Sequence, residues 1–334
     1  MPSSIFNFDL PRAALRWPSH RHLRHAMLLA GFVATYLGCL AVMNKVFGQT
    51  RPETTRTLAV KALSERTEIL FLGNSVVEAA IDSTLYPRPV MALPMANGNY
   101  EVDEMILNRH LPALAGLRTV VFQLDVTCLG WDRLGITLDY SAFHELGIPI
   151  HSVPRPAWWR LRQSVVEHPL VYPMLFGERL TPRQLLWEPI YGGAPVKPEP
   201  GYIPLKGVLS EETRTAYLGK TVPPEPLVPD ILARNEAALL RMAASLQKRG
   251  ASFVLLRYPT RGGYTLFRHP EWEKAFVEFR ARIEAHPLLQ GPQKAKVIDL
   301  ADDPLFVTSD FRDTVHLNRS GAAKLAQRLG EQLP

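Results

Sequence analysis

Short apolar runs recur along the chain, each ending in a polar or glycine-bearing turn that leads into residues at helical spacing. Glu68-Ile69-Leu70-Phe71-Leu72 runs into Gly73-Asn74-Ser75 and then into the helix-compatible Val76-Val77-Glu78-Ala79-Ala80. Residues 90–93 lead to Asn97-Gly98-Asn99, ahead of a helical pattern from Tyr100 to Leu114, and residues 119–124 end in Asp125. The rhythm returns near residue 230. Asp230 caps a helix with Leu232, Leu239, Met242 and Leu246 on one face, and Gly250 stops it. A strand at 252–256, a helix from Pro270 to His286, a strand at 296–300 and a helix from Ser320 to Gln332 follow. Apolar strands separated by helices predict an α/β fold, a five-stranded parallel sheet covered on both faces in three α/β/α layers.

Between about 127 and 229 the alternation is lost and prolines gather from residue 187 onward. A stretch of that length is not one loop in a compact domain. It predicts an insertion, helical at 158–166, lying over the carboxyl edge of the sheet. Its aromatics Trp158, Trp159, Trp187, Tyr191 and Tyr202 either line a cleft or pack the insertion onto the body.

Residues 26–43 carry no charge, and Val46 and Phe47 extend the apolar run to the length of a membrane-spanning helix. The absence of a polar stripe argues against a buried core helix, and the absence of a clear A-x-A site argues against a cleaved signal. The expected organisation is a basic tail at 1–25, a single transmembrane anchor at 26–48, a stalk or a first short helix at 49–66 and a domain at 67–334 that carries the insertion.

The composition, 46% hydrophobic and 21% charged over 334 residues, excludes a disordered chain. Of the net charge of +6, half comes from Arg12, Arg16, Arg21 and Arg24 against Asp9. A basic excess confined to a tail argues against nucleic acid as a partner. The same arginines outweigh Lys45, Arg51 and Arg56 on the other flank, so the positive-inside rule places the N-terminus in the cytoplasm and the domain outside it, in the periplasm. Cys39 and Cys128 are too few for a disulfide framework or a multi-cysteine zinc site, and Cys128 reads as a buried filler. No phosphate-binding, dinucleotide-binding or H-E-x-x-H pattern occurs, so neither a cofactor nor a metal is expected. Arg261-Gly262-Gly263 reads as a turn, with an anion site as the alternative.

Ser75 falls where a strand ends and a helix begins, so its hydroxyl emerges at the carboxyl edge of the sheet beside the N–H groups of a helix N-terminus. An N-capping serine suits the same place. Asp313-Thr314-Val315-His316 follows the fifth strand and brings a histidine and a carboxylate to that edge. An aspartate three residues before a histidine can reach its Nδ1 and fix the tautomer needed to take a proton from serine. Taken alone, His316 reads equally as a satisfied loop histidine.

Together these residues resemble the SGNH (GDSL-like) hydrolase superfamily. Gly73-Asn74-Ser75 is similar to its first block, with Asn74 where aspartate is common, and Asp313 and His316 match its D-x-x-H block. The resemblance covers about 68–126 and 230–332. It implies a flavodoxin-like sheet, Ser75 as nucleophile, His316 as general base, Asp313 as orienting carboxylate, and an oxyanion hole formed by the N–H groups of Ser75 and Gly98. The third block of the family supplies an asparagine donor where this chain reads Gln123-Leu124-Asp125-Val126-Thr127. Gln123 and Thr127 are then the candidate substitute donors, because an ionised Asp125 would repel an oxyanion. Anchored relatives with a degraded third block resemble proteins that accompany membrane-bound O-acyltransferases. The implied function is serine acyl-ester hydrolysis or O-acyl transfer on an envelope glycan, polymer or small ester. The alternative is a non-catalytic accessory subunit of a membrane-bound O-acyltransferase or polysaccharide assembly complex.

Overall fold

The computed structural model describes residues 20–47, 54–96, 98–130, 143, 145–149, 200–218, 227–261, 270–290 and 295–333. They fall into two units, one holding α1 (His20–Phe47) and the other every later element. The second unit runs α2 (Thr55–Ala62), β1 (Ile69–Gly73), α3 (Ser75–Ala80), β2 (Val90–Pro94), α4 (Tyr100–His110) and β3 (Thr119–Gln123). It continues through α5 (Val126–Gly130), α6 (Glu211–Leu218), α7 (Pro229–Arg249), β4 (Ser252–Arg257), α8 (Pro270–Ala285), β5 (Lys296–Asp299) and α9 (Arg319–Gly330).

The five strands form one parallel sheet in the order β2-β1-β3-β4-β5, as the apolar runs predict. Side chains alternate between its faces with period two. Leu70, Leu72, Val120, Phe122, Phe253 and Leu255 enter one core with α4, α7 and α8. Ile69, Phe71, Val121, Val254, Leu256 and Ile298 enter the other with α3 and α9. Each such burial stabilises the fold by about 1.5–3 kcal/mol. Both layers are needed because β1, β2 and β3 are buried at every position, whereas β5 is a partly exposed edge. The strand order reverses between β1 and β3, and such a reversal opens a crevice at the carboxyl ends of those strands. Ser75 follows β1 and Asp125 follows β3, so both candidate blocks stand at this switch point.

Several expectations are corrected in detail. Of the two readings of the segment at 49–66, residues 55–62 form the short helix: Ala59 of α2 is fully buried in the first core, and Arg56 pairs with Glu78 at 3.4 Å and with Glu145 at 3.3 Å. α7 starts at Pro229 after Val228, so proline at its first position replaces the expected Asp230 cap. Gly250 closes it in the left-handed conformation, φ +77°, as expected. The helix expected to Leu114 ends at His110, and Leu111-Pro112-Ala113 tighten into a 3-10 turn.

α1 is a 28-residue helix on which Met27, Leu28, Leu29, Phe32, Val33 and Tyr36 are exposed. It takes in Arg21 and Arg24 at one end and Lys45 at the other. Among the described residues no helix is long and apolar enough to cross a membrane, so the expected N-terminal transmembrane helix has no support here. Of the aromatics assigned to the insertion, Trp158, Trp159, Trp187 and Tyr191 and the helix at 158–166 lie outside the described residues. Tyr202 is buried, and the neighbouring Ile203 N–H donates to Glu78 O at 2.9 Å, so this part of the insertion packs on the body.

Candidate active site

The turn from β1 into α3 is built on Gly73. Its φ of +149° is a conformation that L side chains rarely adopt, and a β-carbon there would fall 2.6 Å from Val77 Cγ2 and 2.7 Å from Gln123 Cβ. The next residue caps the helix: Asn74 Oδ1 accepts the Val76 N–H at 2.9 Å. The capping role open to Ser75 in the sequence therefore belongs to Asn74. Ser75 is partly exposed, and its hydroxyl is left for another partner.

That partner is His316. Ser75 Oγ lies 3.0 Å from His316 Nε2, and His316 Nδ1 lies 2.8 Å from Asp313 Oδ2 and 3.1 Å from Oδ1. Burial pushes the Asp313 carboxyl up, but its hydrogen bond and attraction to His316 and the N–H groups of Val315 and His316 outweigh it, holding the carboxyl below its ordinary value. An ionised Asp313 only accepts, so Nδ1 carries the imidazole proton and Nε2 is left to accept from Ser75. This is the order of a nucleophile, a base and an orienting carboxylate.

The loop that carries the histidine is held from several sides. Phe311 and Leu317 form an antiparallel bridge, and Arg312 N–H donates to His316 O at 3.0 Å. Asn318 caps α9 through the N–H groups of Ser320 and Gly321, and its Nδ2 donates to Gly207 O and Ser309 O. The buried Asp310 accepts from Lys324 Nζ at 2.7 Å and Ser320 Oγ at 3.0 Å. Arg261, considered above for an anion, donates its N–H to Thr314 O at 2.9 Å and its Nη2 to Phe306 O, so it braces this loop. Gly262 and Gly263 lie outside the described residues. The sequence reading missed Asn318, although an asparagine directly before a helix is a recognised cap signal. Asp310 carries no comparable signal.

The expected oxyanion donors are placed less openly. Gly98 N–H donates to Met95 O at 2.6 Å within its own turn. Gln123 Nε2 donates to Asp125 Oδ2 at 2.5 Å, and the Thr127 hydroxyl and N–H both donate to Asp125 Oδ1. Both are buried; Thr127 commits its hydroxyl and its N–H to Asp125, and Gln123 commits one of its two Nε2 protons there. Among the described residues, the Ser75 N–H makes no hydrogen bond and remains an available donor. Cys128 is fully buried, and burial foremost, with the charges of Asp125 and Asp103, pushes its thiol well up, as befits a filler.

Among the described residues no cluster of metal-ligating side chains occurs. No family model matches the sequence, and no curated protein matches it. A solved structure titled "The structure of a putative platelet activating factor from Streptococcus pneumonia" aligns over 93% of this chain and 99% of its own, at 10% identity and a TM-score of 0.35. A likeness that loose does not define the fold, which rests on the strand order and register above.

Proposed function

We propose that the protein is a serine acyl-ester hydrolase or O-acyltransferase of the SGNH kind. The observation that carries this reading is the unbroken line from Ser75 Oγ through the His316 ring to the Asp313 carboxylate, with contacts of 3.0 and 2.8 Å. In this reading His316 Nε2 takes the hydroxyl proton as Ser75 Oγ attacks the acyl carbonyl. Asp313 stabilises the imidazolium, and Ser75 N–H donates to the oxyanion. Collapse of the tetrahedral adduct expels the alcohol, which takes the proton from His316 and leaves an acyl-serine. Water or a sugar hydroxyl then resolves the acyl-enzyme. The test is turnover of p-nitrophenyl acetate: wild type hydrolyses it and Ser75→Ala does not, while equal background rates would defeat the reading.

α1 serves in this reading as a membrane anchor. What supports this is the uncharged run at residues 26–43 and the exposed Met27, Leu28, Leu29 and Phe32. With the arginines inside, the body faces the periplasm, where acylated envelope glycans or polymers are substrates of the right class.

One observation favours a second reading, a non-catalytic accessory subunit of a membrane-bound O-acyltransferase or polysaccharide assembly complex. The N–H of Gly98, both donors of Thr127 and one Nε2 proton of Gln123 are committed within the chain, and loss of a single oxyanion donor typically costs about 10²–10³ in rate.

A further inference from the structure

We infer that Asp125 is a positioning residue whose ionised carboxylate closes a ring of hydrogen bonds around the turn that presents Ser75. The ring joins the β1–α3 turn to the β3–α5 turn across the switch point. Asn74 N–H donates to Gln123 Oε1 at 2.9 Å, and Gln123 Nε2 donates to Asp125 Oδ2 at 2.5 Å. Thr127 donates its N–H, at 2.6 Å, and its hydroxyl to Asp125 Oδ1. Asn74 Nδ2 donates to Thr127 Oγ1 at 3.0 Å and closes the circuit.

The direction of every bond in this ring follows from two backbone donors that cannot be reversed. Val76 N–H fixes Asn74 Oδ1 as an acceptor, so Asn74 Nδ2 faces Thr127. Thr127 Oγ1 accepts there, so its one proton goes to Asp125. Asn74 N–H fixes Gln123 Oε1 as an acceptor, so Gln123 Nε2 also points at Asp125. All donors converge on Asp125, together with the backbone N–H of Cys128; burial pushes this carboxyl up, and the hydrogen bonds from Thr127, Gln123 and Cys128 work against that shift, so the ionised form is held by this geometry. Only a carboxylate accepts them all; a side-chain amide or a protonated acid brings a proton to a place where no acceptor is left.

The role of Asp125 at the position where the family has an asparagine donor is therefore opposite in sign. It gathers protons and thereby fixes Asn74, the residue that frees Ser75 by capping α3 in its place. The inference rests on the reading of Ser75 as a nucleophile for its purpose, though not for its geometry.

A polarity swap tests it. Asp125→Asn keeps size and shape but sets an amide N–H against Gln123 Nε2, whereas Gln123→Glu sets two carboxylates against each other. In the double variant the carboxylate introduced at position 123 accepts from Asn74 N–H and from the amide at position 125, whose oxygen accepts from Thr127, so every bond is restored at unchanged net charge. The readouts are amide hydrogen exchange in the peptide spanning 70–80, against the one spanning 252–257, and the rate of Ser75 labelling by a fluorophosphonate. Each single variant is expected to speed exchange in the first peptide alone and slow labelling about 10–100-fold, and the double variant to regain both.

A folded Asp125→Asn with wild-type exchange would overturn the inference, and so would a double variant as impaired as the singles. A single variant that does not fold beside a double that does counts as rescue; a double that does not fold counts against it. If wild type itself is not labelled, the acyl-ester reading fails, and the exchange pattern alone still decides the ring.

Discussion

Gly73 and Gln123 leave no room between them for a side chain: a β-carbon on Gly73 would fall 2.7 Å from both Cβ and Oε1 of Gln123. The same glutamine accepts the Asn74 N–H, so crowding at Gly73 displaces the residue that holds the Ser75 turn. Gly73→Ala is expected to destabilise the protein by about 3 kcal/mol, because both the φ of +149° and the packing oppose it. Denaturant unfolding measures this. A loss below about 0.5 kcal/mol, the usual range for surface changes, would show that the turn is looser than described.

Asp313→Asn separates orientation from proton transfer. The amide can present an N–H to His316 Nδ1 and so favour the wrong tautomer, and esterase activity should fall about 10³–10⁴-fold with little change in KM. A fall of less than tenfold would mean that the contact at 2.8 Å does not govern the state of His316.

Asp103 is fully buried in the first turns of α4, and among the described residues neither carboxyl oxygen has a hydrogen-bond partner. Burial pushes its carboxyl up to about 8. The sign follows: between the ordinary carboxylate range and about pH 8 the unfolded chain is ionised while the folded chain keeps the proton, so stability falls as pH rises through that window. Asp103→Asn should flatten this slope. Asp103→Leu should raise the unfolding midpoint at pH 8 by about 3 °C or more, since a buried carboxyl that must hold its proton is replaced by an apolar group of similar size. Parallel slopes for wild type and Asp103→Asn would contradict the assignment.

Periodicity made the sheet legible, since each buried strand is an apolar run with a turn at its end, and the five runs fall in the five strands. The site was legible where a side chain acts near its own place in sequence: Asp313 reaches His316 over three residues, and Ser75 follows β1 directly. What pattern could not give were relations across strands. Gln123 and Thr127 have the right chemistry for oxyanion donors, but Asp125 lies between them and draws the Thr127 donors and one Gln123 Nε2 proton to itself. Asp103 is a further case: nothing in the local pattern of α4 marks it, yet it is fully buried. The polar segment at 49–66 left a stalk and a short helix both open, and the pairing of Arg56 with Glu78 and Glu145, which ties α2 to the body, is again a relation no local pattern gives.

Reporter fusions after Arg66 test the proposed orientation of α1. An alkaline phosphatase fusion should be active and a fluorescent protein that folds only in the cytoplasm should be dark. The reverse pattern would exclude envelope substrates and leave the Ser75–His316–Asp313 geometry untouched.

The central claim is that His316 makes the Ser75 hydroxyl a nucleophile. Incubation of the intact protein with a fluorophosphonate, followed by peptide mass spectrometry, reads this directly. The account predicts a single phosphonyl adduct on the peptide containing Ser75, absent from Ser75→Ala and slowed at least about 10³-fold in His316→Ala. A wild-type protein left unmodified, or modified equally when Ser75 is removed, would contradict it.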